Sequence, residues 1–265
     1  MKKILIISAW SLFGVGLIVS LAFADHTNAN RKCEKVNVTI DRNGTDMFIV
    51  EDDITRLLGD HQMSPLGRTI SQISVPAIEN LVRTAPAVES CEVFMDINGN
   101  VNIQLKQRHA IARMINSSGE SYYFDEQGKI MPWSDEYTAP VILINGNFSD
   151  TYASVYQTDF SAINKDTALV SPSKLDDTWQ LVKAIEADTF LNAQIVQVYF
   201  DTKNGIELIP RIGSQSIILG DVSDLEEKLN TLKIFYKEGL SKDGKWNTYK
   251  TINLQYKNQV VCTKK

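Results

Sequence analysis

The residues that could carry acid–base, nucleophilic or metal chemistry are few and widely spaced. The three histidines are His26, in a polar segment, His61, in a loop after a predicted helix, and His109, at the start of a predicted strand. None of them lies in a nucleophile or metal motif, and the chain contains no GxSxG, HExxH, Walker or GxGxxG pattern. We therefore expect these histidines to be solvated or locally hydrogen-bonded.

The acidic residues also have a simpler explanation than catalysis. Glu51-Asp52-Asp53 could form a metal cluster, but they precede an apolar helical pattern, and negative charge is favoured at a helix N-terminus. Glu120, Asp125 and Glu126 flank turn signals, which favours turn residues over a glycosidase pair of carboxylates. The sequence therefore predicts no catalytic, cofactor-binding or metal site, and a protein that is not an enzyme.

Composition indicates a folded protein that does not bind nucleic acid. The 265 residues are 43% hydrophobic and 22% charged, as in ordinary folded proteins. A net charge of -5 offers no basic face for a phosphate backbone. Cys33, Cys91 and Cys262 are an odd number, so at least one thiol is expected to lack a partner within the monomer. We interpret them as small apolar residues or one incidental pair.

The first stretch of the chain is long and apolar enough to predict a membrane anchor. Residues 4–24 carry no charge, and at about 1.5 Å per residue they span the roughly 30 Å hydrocarbon core of a bilayer. Lys2 and Lys3 precede them, which predicts a cytoplasmic tail of residues 1–3 and an exported body. Residues 25–34 are predicted to be a linker. The alternative is a cleaved signal peptide, because Ala22-Phe23-Ala24 has the small-x-small form of a cleavage site.

Residues 35–107 predict a complete α+β module in the order strand, helix, helix, strand, strand. The first strand covers residues 36–40, and the first helix is expected to end at Gly59. The second helix is expected to begin near Pro76 with Ser74 as its cap. Two alternating runs then flank Asn98-Gly99, which predicts a hairpin with a type I′ turn.

From Arg108 onward the pattern predicts mostly antiparallel strands with flanking helices. One helix is predicted over residues 175–187, and a second hairpin of type I′ at Asn204-Gly205. The residues from Ser223 to Glu226 match a capping box, which opens a helix expected to close at Gly239. Residues 251–257 alternate apolar and polar side chains and predict a final strand.

Several short strings occur in one order along essentially the whole chain. They are Phe48-Ile49 with Asp53-Ile54, Ile78-Glu79 with Leu81, Gln107-Arg108, Tyr122-Tyr123-Phe124-Asp125 with Gly128 and Met131-Pro132, Glu207-Leu208-Ile209-Pro210, Leu219-Gly220, and residues 252–262. Taken together, they resemble the bacterial cell division family FtsQ/DivIB, in the form found in Bacteroidetes-type bacteria.

The resemblance implies a division of the chain and a place in the cell. Residues 35–108 would form a POTRA domain and residues 109–265 the β domain of the family. The anchor at residues 4–24 would be retained, making a single-pass inner-membrane protein with a cytoplasmic N-terminus and a periplasmic body at the division septum. Such a protein would help to assemble the divisome by binding FtsB/FtsL-like partners and other division proteins. A tail of three residues carries no cytosolic binding segment.

The resemblance also implies a binding site in the last strands, which in the family bind FtsB by adding a strand to the sheet edge. The tyrosine of the final strand pair matches Tyr256, whereas the preceding position, often Arg in relatives, is Gln255 here. An exposed edge can accept a strand through its unpaired backbone groups, with alternate side chains selecting the partner. The alternative is an ordinary closing strand in which Tyr256 packs. The predicted partner-binding residues are Ile252, Leu254, Gln255, Tyr256, Lys257, Asn258, Gln259 and Val260.

Two other functions remain open from the sequence. The chain could be an exported periplasmic carrier or assembly module that shares a POTRA-like part, in which case a mature form would begin at Asp25. It could also be a cell-wall enzyme, which would require a deep polar cleft with acids of raised pKa.

Overall fold

The chain divides into two compact units. Unit 1 comprises Met1–Arg42 and Ile49–Gln107, and unit 2 comprises Asn43–Phe48 and Arg108–Lys265. The computed structural model describes residues 10, 12–19, 30–42, 44, 46–156, 175–242, 244, 246–257 and 259–265.

Only part of the predicted anchor falls among the described residues. Residues 12–19 are helical, and Leu12, Phe13 and Ile18 are exposed. Residues 1–9, 11 and 20–29 lie outside the described residues. No helix in the described part of the chain is long and apolar enough to span a bilayer. The anchor, the cytoplasmic tail and the cleavage alternative therefore stay predictions.

Unit 1 has the predicted order of strand, helix, helix, strand, strand. The elements are β1 (Val36–Asp41), α1 (Glu51–Asp60), a 3-10 turn (Ile70–Gln72), α2 (Val75–Arg83), β2 (Val88–Met95) and β3 (Val101–Gln107). In the sheet the strand order is β1-β3-β2, with β1 and β3 parallel and β2 and β3 antiparallel.

The core of unit 1 forms where the two helices meet the sheet. Strand β3 is the central strand, and it buries alternate side chains, as the period of two predicts. Each helix buries two residues one turn apart. These residues form one cluster of Val101, Ile103, Leu105, Ile54, Leu58, Ile78 and Val82.

The ends of the two helices differ in detail from the prediction. Gly59 lies inside α1, which ends at Asp60, and it is Gln62 that takes a left-handed φ of 55°. The predicted end of this helix at Gly59 was therefore wrong. Ser74 precedes α2 as predicted, but its side chain makes no capping hydrogen bond. The acids Glu51 to Asp53 occupy the first turn of α1, as predicted.

The first hairpin forms at Asn98-Gly99, but not with the predicted type I′ turn. Of the two residues only Gly99 has positive φ, at 86°. Asp96 is the cause, because its Oδ1 accepts hydrogen bonds from the backbone N–H groups of Asn98 and Asn100, at 2.8 and 2.9 Å. An aspartate side chain that satisfies the turn in this way favours a longer loop.

The second hairpin departs from its prediction in the same way. Gly205 takes a φ of 74° and Asn204 does not take a positive φ. Asp201 Oδ1 accepts from the N–H groups of Lys203 and Asn204, at 2.8 and 2.7 Å. The type I′ prediction at Asn204-Gly205 was therefore wrong for the same physical reason.

Unit 2 contains a nine-stranded mixed sheet. The elements are β4 (Ala110–Ile115), β5 (Ser121–Asp125), β6 (Ile130–Pro132), β7 (Ile142–Gly146), α3 (Tyr152–Val155), α4 (Leu175–Glu186), α5 (Thr189–Gln194), β8 (Ile195–Asp201), β9 (Gly205–Pro210), β10 (Ser216–Gly220), α6 (Leu225–Ile234), a π-helical segment (Phe235–Leu240), β11 (Tyr249–Asn253) and β12 (Val261–Lys264). The strand order is β12-β11-β10-β9-β8-β7-β4-β5-β6. The pairs β4–β7, β7–β8 and β10–β11 are parallel, and the other five pairs are antiparallel.

Helices α4 and α6 supply the apolar side chains that pack with the sheet of unit 2. Helix α4 ends one residue before its predicted end, and α6 buries Leu225, Leu229 and Leu232, with Tyr236 buried in the π-helical segment that follows. These residues join one cluster with buried side chains from eight of the strands, β4 to β11. The central strand members are Ile144, Val198, Leu208, Ile217 and Ile252.

The start and end of α6 correct the prediction. Asp224 is the N-cap residue, with a left-handed φ of 48° and no side-chain cap, so the capping box was wrong. The Ser223 hydroxyl instead donates to Asp221. The helix does not close at Gly239 either, because the chain continues as a π-helical segment through Leu240.

Candidate partner-binding site

Strand β12 forms one edge of the nine-stranded sheet. It pairs with β11 in antiparallel register, with Ile252 opposite Cys262 and Asn253 opposite Val261. Strand β11 in turn pairs in parallel with β10. Among the described residues, no strand lies on the other side of β12. That side therefore presents backbone groups that another strand could pair with.

The predicted final strand is shorter than residues 251–257. Strand β11 ends at Asn253, and residues 254–260 connect it to β12. The Asn253 side chain ends the strand, because its Oδ1 accepts the Gln255 backbone N–H at 2.9 Å. The alternation at Leu254 and Tyr256 therefore lies in a loop, and the strand prediction for these residues was wrong.

The first part of this loop is fixed to the sheet. Leu254 is buried, and its N–H donates to the carbonyl of Ile218 at 2.9 Å. Gln255 lies over Gly220, where an added Cβ would come within 2.7 Å of Gln255 Nε2. Gln255 Nε2 also donates to the carbonyl of Asn204 at 3.4 Å. Gln255 thus contacts its own sheet.

The rest of the loop places an aromatic and a positive side chain in solvent. Tyr256 is 51% exposed. Lys257 and Gln259 are also exposed, whereas Val260 is partly buried against the core of unit 2. Ile252 is completely buried in β11, and Asn258 lies outside the described residues. The exposed part of the predicted set is therefore confined to the loop.

The edge strand itself extends beyond the residues predicted as the site. Val261 is 43% exposed, and Thr263 and Lys264 are exposed as well. The prediction ended at Val260, although the β-branched pair Val260-Val261 before Cys262 is a strand signal. Any partner strand that pairs with this edge would contact Val261–Lys264 directly.

A small pocket lies between the loop and the first turns of α6. Ser223, Asp224 and Glu227 line one side, and Tyr256 and Lys257 line the other. Its volume is about 70 Å³. Small-molecule sites usually enclose roughly 300–1,000 Å³, so this pocket fits a side chain better than a substrate.

The chain around the edge is positively charged. From Tyr249 to Lys265 it carries four lysines, Lys250, Lys257, Lys264 and Lys265, and no acidic residue. All four are exposed. Lysines on an edge discourage self-association of like edges, and they also favour a partner segment of opposite charge.

Two of the acids considered for chemistry, Asp125 and Glu126, lie elsewhere in unit 2. The Asp125 side chain is buried and pairs with Arg108, with Asp125 Oδ2 2.7 Å from Arg108 Nη1. Its Oδ1 accepts from the backbone of Gln127 and Lys129, so the predicted turn role is confirmed. Glu126 does not pair with Glu120 but lies near His109 and Glu186, residues that sequence spacing does not connect.

The three cysteines are free thiols. Cys33 and Cys91 are buried in unit 1, and Cys262 is partly exposed on β12. Burial raises the pKa of the Cys91 thiol to about 11, with the Glu79 carboxylate adding to the increase. Burial also raises the pKa of the Cys262 thiol. The interpretation of the cysteines as small apolar residues is therefore confirmed for Cys33 and Cys91.

Comparison with known families identifies both parts of the chain. Residues 31–106 match the family model for a POTRA-like domain. Residues 109–263 match the family model described as FtsQ/DivIB, C-terminal related, which covers more than half of the chain. No curated protein matches the chain significantly. The match over residues 109–263, which includes the open edge at β12, shows that the chain belongs to the FtsQ/DivIB family.

Proposed function

We propose that this protein is a non-enzymatic scaffold of bacterial cell division. Its family membership supports a role in cell division. In this proposal residues 4–24 hold the protein in the inner membrane, and the body acts in the periplasm at the division septum. There it assembles the divisome by binding FtsB/FtsL-like partners. The open edge at β12 is the observation on which the binding mechanism depends.

Strand addition at β12 is the binding mode that this edge favours. A partner segment would pair its backbone with Val261–Lys264, and the exposed Val261 would give it an apolar contact. Tyr256 lies in the loop that leads into the edge strand and offers an exposed ring. A tyrosine gives a large contact area at a small cost in conformational entropy.

The charge of the edge selects the partner. Four exposed lysines between Tyr249 and Lys265 favour a strand with acidic side chains. Since these lysines are exposed, the attraction is screened by salt, with a Debye length of about 10 Å at 0.1 M. Binding of an FtsB/FtsL-like partner is therefore expected to weaken as the salt concentration rises.

Substitution at the loop tests the site directly. Tyr256→Ala is expected to weaken capture of an FtsB/FtsL-like partner while leaving the thermal unfolding temperature unchanged. Tyr156→Ala is the matched control, because Tyr156 is 46% exposed in the same unit but far along the chain from the edge. Partner capture by Tyr256→Ala at the wild-type level would remove the loop from the site.

Proline at adjacent edge positions tests strand addition itself. Successive N–H groups of a strand point to opposite sides, so one of Cys262→Pro and Thr263→Pro removes a hydrogen bond to β11 and the other an outward donor. The variant that removes the outward donor is expected to keep its stability and lose partner binding. If both proline variants bind the partner at the wild-type level, β12 is not the docking edge.

The cellular role is tested by a fluorescent fusion combined with depletion of the protein. Septal fluorescence and filaments of undivided cells on depletion are the expected results. Release of a mature form that begins at Asp25 into the periplasm, with normal division on depletion, would support the carrier or assembly module instead.

A further inference from the structure

Three side chains that are distant in sequence come together in unit 2. His109 directly precedes β4, Glu126 lies in the turn after β5, and Glu186 is the last residue of α4. One ligand atom from each of them lies within 4.8 Å of the other two. All three side chains are partly buried. Three potential metal ligands from three separate segments therefore share one site.

The imidazole of His109 also contacts a buried acid through its Nδ1 atom. Asp46 Oδ2 lies 3.1 Å from His109 Nδ1, and the Tyr137 hydroxyl donates to Asp46 Oδ1 at 2.6 Å. Asp46 is only 6% exposed. When this carboxylate is ionised, Nδ1 carries the hydrogen and the lone pair is on Nε2. A carboxylate that orients a histidine in this way is the usual second layer of a metal site.

The electrostatics of the cluster favour a cation. Glu126 and Glu186 bring two carboxylates into the same partly buried site. Glu186 also ends a helix, where the helix dipole is negative and disfavours a carboxylate. Two carboxylates held together at a helix C-terminus would be stabilised by a bound positive ion.

From this geometry we propose that His109, Glu126 and Glu186 bind a divalent transition-metal cation of the Zn²⁺ class, with Asp46 as the residue that orients the imidazole. One imidazole nitrogen and two carboxylate oxygens suit Zn²⁺, whereas Mg²⁺ and Ca²⁺ prefer oxygen ligands alone. Zinc bonds of about 2.0–2.1 Å require ligand atoms about 3.4 Å apart, so small rotations of these side chains would complete the site. A fourth position is left for water.

The bound ion would join three elements of unit 2. It would connect the start of β4 through His109, the turn after β5 through Glu126 and the end of α4 through Glu186. A ligand that binds only the folded state stabilises that state. The site is therefore expected to raise the thermal stability of the protein when Zn²⁺ is present. This role is independent of the proposed scaffold function.

Calorimetric titration of the full chain, purified without a histidine tag, tests the site. ZnCl₂ is expected to bind saturably and to raise the unfolding temperature, and MgCl₂ at the same concentration is expected to do neither. Glu126→Gln and Glu186→Gln keep the side-chain shape and are each expected to weaken Zn²⁺ binding at least tenfold. Asp46→Asn is expected to weaken it by about 10–100-fold, as loss of an orienting carboxylate does at other metal sites.

His61→Gln is the matched control, because His61 is an exposed histidine of unit 1. It is expected to bind Zn²⁺ like the wild type. Absence of saturable Zn²⁺ binding to the wild type, or wild-type affinity in Glu126→Gln and Glu186→Gln, would overturn the proposal. The visible spectrum of the Co²⁺ form gives a second readout that needs no variant. An intense thiolate charge-transfer band would place the ion on a cysteine and would also overturn it.

Discussion

Arg108 Nη1 donates to Asp125 Oδ2 at 2.7 Å, and the Asp125 side chain is completely shielded from solvent. The other carboxylate oxygen accepts the backbone N–H groups of Gln127 and Lys129, at 2.9 and 2.6 Å. Asp125 thus has partners on both oxygens. The pair joins the segment that leads into β4 to the end of β5, and both residues occur in the strings through which the sequence resembles its family.

Removing the arginine is expected to destabilise unit 2 strongly. Arg108→Met leaves the Asp125 carboxylate buried without its ion-pair partner, and breaking a buried pair in this way costs about 3–5 kcal/mol. The free energy of unfolding, measured by urea denaturation with tryptophan fluorescence, checks this value. The matched control is Arg56→Met, since Arg56 forms an exposed pair with Asp53. That change is expected to cost less than about 1 kcal/mol.

A close approach of two backbone segments predicts an intolerant glycine. Gly205 has a φ of 74°, and a Cβ added to it would lie 2.1 Å from the carbonyl oxygen of Gly220. Gly205→Ala must therefore shift the β9–β10 pairing in addition to adopting an unfavourable φ. Left-handed backbone alone costs an alanine about 1–2 kcal/mol, and the clash is expected to add about 1–3 kcal/mol.

Gly119→Ala separates these two contributions. Gly119 has a φ of 84°, but a Cβ there would meet no atom within 4 Å. It is expected to show only the conformational cost. Thermal or urea unfolding of the two variants checks the difference, and equal losses of stability would contradict the close approach of Gly205 to Gly220.

Asp221 predicts a specific dependence of stability on pH. Lys228 Nζ lies 2.8 Å from Asp221 Oδ1, and this ammonium, with the Ser223 hydroxyl, lowers the pKa of the carboxyl to about 2. An unfolded aspartate has a pKa of about 3.9. The stabilisation is therefore fully present above about pH 4 and is lost as the pH falls towards 2.

The variant Asp221→Asn removes this dependence. The difference in unfolding free energy between wild type and variant is expected to shrink as the pH is lowered from 5 to 2. Because the Asp221 side chain is 71% exposed, the difference is expected to be at most about 1 kcal/mol and to decrease at high salt. A difference that stays constant across this range would show that the charge of Asp221 does not contribute.

Local patterns predicted the order of elements because each of them depends on neighbouring residues. The alternation in β3 and the spacing of Leu225, Leu229 and Leu232 correspond to the faces that are buried. The type I′ turns were predicted wrongly, because the side chains of Asp96 and Asp201 accept hydrogen bonds from the backbone N–H groups of the turns. The preference of Asn-Gly for type I′ turns does not include such competition from side chains.

The candidate sites also could not be predicted in full, because they depend on contacts between residues that are distant in sequence. Alternation at Leu254 and Tyr256 predicts a strand, but the Asn253 side chain and the bond from Leu254 to Ile218 end β11 earlier. The cluster of His109, Glu126 and Glu186 could not be predicted, because it depends on where β4, β5 and α4 meet. Only the pairing of distant segments in the folded chain brings such residues together.

Cys262 offers a chemical probe of the edge without a change in sequence. It is partly exposed on β12, whereas Cys33 and Cys91 are buried in unit 1. The thiolate is the reactive form, so a raised pKa and burial slow alkylation. At pH 8 the native protein is expected to be alkylated by iodoacetamide fastest at Cys262 and slowest at Cys91, whose pKa is about 11.

Partner binding is expected to protect this thiol, because strand addition at β12 would cover Val261–Lys264. Peptide mass spectrometry after timed alkylation, with and without an FtsB/FtsL-like partner, measures the protection. Cys91 provides the internal control, since it lies in the core of unit 1 and its slow rate is expected not to change. An unchanged alkylation rate at Cys262 in the saturated complex would exclude β12 as the bound edge.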